Sequence, residues 1–208
     1  MNWISLKTAA ICLAALTCSA VAAPIIDGGL TDPTQYAAPL YDAAESSYGE
    51  GLDIDSVRAA QDSSYAYLFL DVVGDAPLAT DGDGSDYGYT TITATLFDAQ
   101  GGNLLGHLKA NVMGSNILCE LYDTPNPFGQ NLEWTADSSD VATGEGFEVR
   151  IPVDKLSFGN SAYIETRLDN NGAGNDDVLA GTVAVPEPTT MALLGTIGAG
   201  LLLRRRRR

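Results

Sequence analysis

The sequence predicts an all-β fold: an antiparallel β-sandwich or jelly roll of about nine strands. An N-terminal signal helix and a C-terminal transmembrane helix are expected to flank it. Three observations predict the sandwich. Short apolar runs at period two recur between residues 27 and 183, separated by clusters of Gly, Asp, Asn and Ser. The 3.6-residue apolar stripe of an amphipathic helix is missing from that stretch, which sets α/β layering aside. The chain has 208 residues and is 45% apolar, which suits one packed domain plus processing segments.

The elements follow in order. Residues 54–60 (IDSVRAA) form the first clear run, and after a polar break residues 65–73 (YAYLFLDVV) are apolar on both faces, the pattern of a central strand. Residues 90–98 (TTITATLFD) alternate strongly and are rich in β-branched side chains. The turn Asp98-Ala99-Gln100-Gly101-Gly102-Asn103 returns the chain into residues 104–113 as a hairpin partner. Gly114-Ser115-Asn116 turns it again into residues 117–122, and residues 131–136 carry Trp134 on a short strand. Phe147, Val149 and Ile151 alternate with Glu148 and Arg150, the pattern of a half-buried strand. Residues 162–168 and 178–183 complete the set.

Charge is unevenly placed. The formal charge is −16, yet residues 24–185 hold 26 of the 27 acids and only Arg58, Lys109, Arg150, Lys155 and Arg167 as cations, a charge of −21. A domain of that charge repels a polyphosphate backbone, so nucleic acid is excluded as its partner. The other basic residues sit at the ends. Lys7 precedes the apolar run TAAICLAAL at residues 8–16, and small residues follow at Ser19-Ala20-Val21-Ala22-Ala23. That order is a secretory signal, residues 1–22, cut by signal peptidase before Ala23. Cys18 raises a lipoprotein signal as the rival, but no small residue stands directly before it. Cys119 is then the single thiol of the exported domain and reads as a small core residue, and the lone His107 reads as a strand residue.

At the other end Val185-Pro186-Glu187-Pro188 leads into the apolar residues 189–203 and then Arg204, Arg205, Arg206, Arg207 and Arg208. Fifteen residues span about 22 Å as a helix, short for a hydrocarbon core of about 30 Å. The arginines hold that end in the cytoplasm. Hydropathy alone gives a plain membrane anchor. The triplet, the Gly-rich apolar segment and the terminal arginines, residues 185–208, together resemble the PEP-CTERM sorting signal of exopolysaccharide-producing Gram-negative bacteria. The resemblance implies that a membrane-embedded exosortase recognises the tail and removes it near Pro186-Glu187-Pro188. It implies a route across the inner membrane, transient anchoring, and delivery to the cell surface or exterior.

The central domain, residues 23–184, resembles the DOMON-like, family 9 carbohydrate-binding sandwich. The resemblance rests on Ile26-Asp27-Gly28-Gly29, on residues 52–60 followed by 64–70, and on Gly146-Phe147-Glu148-Val149-Arg150-Ile151-Pro152-Val153 with Leu156. It implies a sandwich fold and, by stacking on aromatic rings, a glycan ligand.

Candidate site residues follow from chemistry. Asp81, Asp83, Ser85 and Asp86 put hard oxygens into a Gly-softened loop, the supply Ca²⁺ prefers. Asp169, Asn171 and Asp176 belong to a second acidic, amide-rich loop, residues 169–177. The plain alternative is two solvated turns. A sugar would stack on flat aromatic faces, for which Trp134, Tyr122, Phe128 and Tyr87 are the candidates, with Trp134 as a core residue the alternative. No carboxylate pair is singled out by spacing or apolar surroundings, and His107 carries no motif, so no catalytic residue is assigned. The reading is an exported, non-enzymatic protein of the surface or exopolysaccharide matrix, glycan-binding in a biofilm. The alternative is a Ca²⁺-stabilised structural or adhesive module without sugar binding.

Overall fold

Alternation decides which face of each strand is buried. In a computed structural model of the chain, which describes residues 23–30, 35–42, 53–73, 90–113, 116–125, 131–169 and 177–185, the period-two runs become antiparallel strands. They are β1 (Leu40–Tyr41), β2 (Ile54–Gln61), β3 (Tyr65–Val72), β4 (Thr90–Phe97), β5 (Leu104–Met113) and β6 (Asn116–Tyr122). After them come β7 (Leu132–Thr135), β8 (Val141–Thr143), β9 (Gly146–Pro152), β10 (Ser161–Asp169) and β11 (Asp177–Ala184). No α-helix occurs among the described residues.

Two sheets result. Sheet A runs β1-β2-β3-β9-β8 and sheet B runs β11-β10-β4-β5-β6-β7. The chain changes sheet after β3, β7 and β9, so neither sheet is a simple meander. Ile92, Ala94 and Leu96 of β4, with Ile164 beside them on β10, face Leu68 and Leu70 of β3 and Phe147 and Val149 of β9 in one core between the sheets. A bulge between Ile54 and Ser56 makes Asp55 the extra residue of β2, so both Ile54 and Val57 reach that core. The β4–β5 hairpin closes at Asp98, whose carboxylate accepts from the Asn103 backbone N–H and the Asn103 amide, each at 2.8 Å. Gly101 sits there at φ 69°, where a side chain would be strained.

The expected runs correspond to β2–β7 and β9–β11, and among the described residues the strands number eleven rather than about nine. The correction has a plain cause: β1 and β8 have two and three residues and are too short to show a period. A second correction concerns β9. Its outer face is not solvated at Glu148, which is 1% exposed, while Arg150 on the same face is half-buried as expected. Residues 26–30 and 36 lie over sheet A, where Ile26, Leu30 and Tyr36 pack on Ala60, Tyr67 and Phe69 in a second small core. The expected signal helix and transmembrane helix lie outside the described residues, among which no helix is long and apolar enough to cross a membrane.

One polar group in the main core lacks compensation. The Thr166 hydroxyl on β10 is buried without a hydrogen bond and borders a small, almost wholly apolar pocket beside Ile92, Ala94 and Ile164. A water there would have too few polar partners to be held. Thr166→Val keeps the shape and removes an unpaired hydroxyl. It is expected to stabilise the fold by about 1 kcal/mol and raise Tm by about 2–4 °C, whereas a lower Tm in thermal unfolding would show that the hydroxyl has a partner.

Candidate functional site

Two carboxylate sites distinguish this sandwich, and they solve opposite electrostatic problems. The first is Glu148, at the centre of the outer face of sheet A, in register with Phe69. The residues packed over it bring backbone amides into an apolar setting, where they need acceptors. Glu148 Oε2 accepts from the backbone N–H groups of Asp27 at 3.0 Å and Gly28 at 3.2 Å. Its Oε1 accepts a short hydrogen bond from the Tyr36 hydroxyl. The Gly146 N–H donates to the Gly28 carbonyl at 3.0 Å, which completes the fastening. Gly28 is at φ 78°, and a Cβ there would collide with the Thr143 backbone. Burial pushes the Glu148 carboxyl above its ordinary value, against the three donors that pull it down. The Tyr36 hydroxyl is pushed up by burial, by its hydrogen bond to Glu148 and by that carboxylate's charge.

The second site gathers acids against acids. Asp42 follows β1, Asp53 precedes β2, and Asp177 opens β11, and one carboxylate oxygen of each lies within 4.8 Å of the others. Asp53 is 5% exposed and Asp177 2%, while Asp42 is half-buried. Asp177 Oδ2 accepts from the Ile54 N–H at 2.5 Å, and the Asp53 carbonyl accepts from Val73 N–H at 2.8 Å. Two unit charges at such a separation repel by about 3 kcal/mol even at an effective dielectric constant of about 20. A proton or a cation relieves that cost. The donor set is all hard oxygen, with no Cys or His among its members, and fits Ca²⁺ rather than a soft transition metal.

The residues expected from the sequence fall differently. Asp81, Asp83, Ser85, Asp86, Tyr87, Phe128, Asn171 and Asp176 lie outside the described residues, as do Pro186, Glu187, Pro188 and residues 204–208. Asp169 ends β10 with its carboxylate 4.0 Å from the Arg167 guanidinium, and it projects to the face opposite Leu168 and that residue's partner Asp177. The 169–177 loop thus contributes its last residue to the acidic cluster, while Asp42 and Asp53 come from elsewhere in the chain. Trp134 on β7 is partly buried against the core, beside Leu121. Tyr122 projects to the other face of sheet B, where its hydroxyl donates to Glu120 Oε2 at 2.6 Å and is pushed up to about 12 by that bond. Trp134 and Tyr122 therefore do not share a face. His107 is 7% exposed on β5, its Nδ1 2.9 Å from the Thr95 hydroxyl, and burial with Lys109 nearby lowers its pKa. Cys119 is fully buried, and burial pushes its thiol up.

Fold and sites define an acidic, two-sheet β-sandwich module. Its destination comes from the C-terminus: residues 184–208 match the PEP-CTERM protein-sorting motif. The motif implies a secreted protein, transiently anchored at the membrane and sorted to the cell surface by an exosortase. Comparison with curated proteins and with solved structures gives no match.

Glu148 makes a testable contribution. Glu148→Ala strands two buried donors, the Gly28 N–H and the Tyr36 hydroxyl, and the part-buried Asp27 N–H, and is expected to cost about 3 kcal/mol or more, lowering Tm by about 10 °C. Glu148→Gln can still accept from the two amides and donate to the Tyr36 oxygen, so its loss should be smaller. With its folded value raised, the carboxyl contributes stability that is complete below the ordinary carboxylate range and is lost as pH rises through the folded value. Denaturant unfolding from pH 4 upward should show this decline in the native protein and not in Glu148→Gln; parallel profiles would refute it.

Proposed function

We propose that the protein is a non-enzymatic component of the cell surface or exopolysaccharide matrix, exported through signal peptidase, delivered by an exosortase, and in contact with glycan there. The sorting motif at residues 184–208 carries this reading, since it assigns the domain to the outside of the cell. Two observations on the described chemistry support a role without catalysis. His107 is held in a strand by Thr95, and Cys119 is enclosed in the core with its thiol pushed up, so neither is poised as a base or nucleophile. Glycan contact is proposed for the edge of sheet B, where Trp134 lies on β7. On a glycan array the domain should bind, and Trp134→Ala should lose at least tenfold in affinity, about 1.4 kcal/mol. No binding to any glycan, or no loss with Trp134→Ala, removes the sugar-binding part.

A second reading is a structural or adhesive module stabilised by Ca²⁺. The convergence of Asp42, Asp53 and Asp177 favours it. A cation bound only by the folded state stabilises by mass action, by about 2.7 kcal/mol at a hundredfold excess over Kd. Millimolar Ca²⁺ should then raise Tm relative to EDTA, and Asp177→Asn should remove most of that gain. Identical melting in both solutions counts against the reading.

A further inference from the structure

The sorting motif and the folded domain share residues. The motif begins at residue 184, and Ala184 is the last residue of β11, opposite Ser161 of β10. Val185 is 4% exposed, belongs to the main hydrophobic core, and donates its N–H to the Asn160 carbonyl at 2.9 Å. The Pro186-Glu187-Pro188 triplet therefore starts about 3.8 Å along the chain from a buried core residue, with no linker between them. An enzyme that grips an extended chain on the N-terminal side of the triplet must take Val185 and Ala184 from the sheet. β11 is the edge strand of sheet B and is laddered only to β10, so its end can peel without disturbing a second strand.

We propose that the docked end of β11 gates sorting: the sorting enzyme gains the first residues of its motif only when Ala184 and Val185 separate from β10. Domain folding and motif recognition compete for one short segment, so the rate of tail removal reports how firmly the edge of the sandwich is closed. The inference rests on the reading of the tail as an exosortase substrate, and adds that the domain controls access to it.

Three full-length proteins, expressed in cells that process PEP-CTERM proteins, test it. One is the native chain. In the second, a flexible Gly/Ser spacer followed by a fresh Ala-Val pair is inserted between Val185 and Pro186, so that β11 stays docked and a complete motif follows it. The third carries Ser161→Cys and Ala184→Cys, an exposed pair directly opposed across the two strands, which a disulfide would pin. Tail loss is followed by intact mass. The spacer protein is expected to lose its tail about tenfold faster than the native chain, since undocking a buried valine is worth at least one such factor. The pinned protein should be slower than the native chain and recover when reduced. Equal rates in all three overturn the gating. Retention of Arg208 in all three overturns the sorting reading itself, and the gating with it.

Discussion

Strand β3 is apolar on both faces, and the rest of the domain is arranged around that constraint. Leu68 and Leu70 point one way and Tyr67 and Phe69 the other, so the strand needs cover twice. Sheet B supplies the first cover. The segment preceding β1 supplies the second, and it brings backbone amides against that face, one buried and one part-buried. Glu148, next to Phe69 in register, accepts from two of them and from Tyr36. A carboxylate in the middle of an apolar face is costly by itself, and three donors make it tolerable. Gly28 completes the arrangement, because its φ of 78° lets the chain lie flat against the Thr143–Gly144 backbone.

The same chain gathers another group of acids at one corner of the sandwich. Residues 24–185 carry −21, and most of that charge can spread into solvent. At one corner it cannot. The starts of β2 and β11 and the end of β1 meet there, and the topology brings Asp42, Asp53 and Asp177 together. Glu148 is balanced by donors from the chain itself. At the three aspartates carboxylate meets carboxylate, with the Ile54 N–H donating to Asp177.

Export adds a constraint of its own. The sorting motif begins at Ala184, the last residue of β11. Here the last strand is an edge strand, laddered on one side only, and Val183 and Val185 anchor it in the core. Its stability is set by eight paired positions with β10 and by the buried Leu179, Val183 and Val185, and it can differ from that of the whole domain.

Much of the fold was legible from residue patterns. The alternation in TTITATLF gave β4 its buried face, the two-sided YAYLFLDV marked β3 as a central strand, and the Asp98–Asn103 turn joined a hairpin. The destination was legible too, because the Pro-Glu-Pro triplet, apolar segment and arginines act as a linear address. One hint of the acidic cluster lay in plain sight: Asp177 keeps the parity of Leu179 and Val183, which places a carboxylate on the core side of β11. Its partners were not legible, since residues 42, 53 and 177 are distant in the chain and meet only through strand order. Glu148 was misleading for the same reason. Its alternation with Phe147 and Val149 is that of a solvated face, and only the tertiary placement of residues 26–36 made that face an interior. Local periodicity determined which residues form strands, and the stacking of sheets and overlying segments decided which carboxylates lost their water.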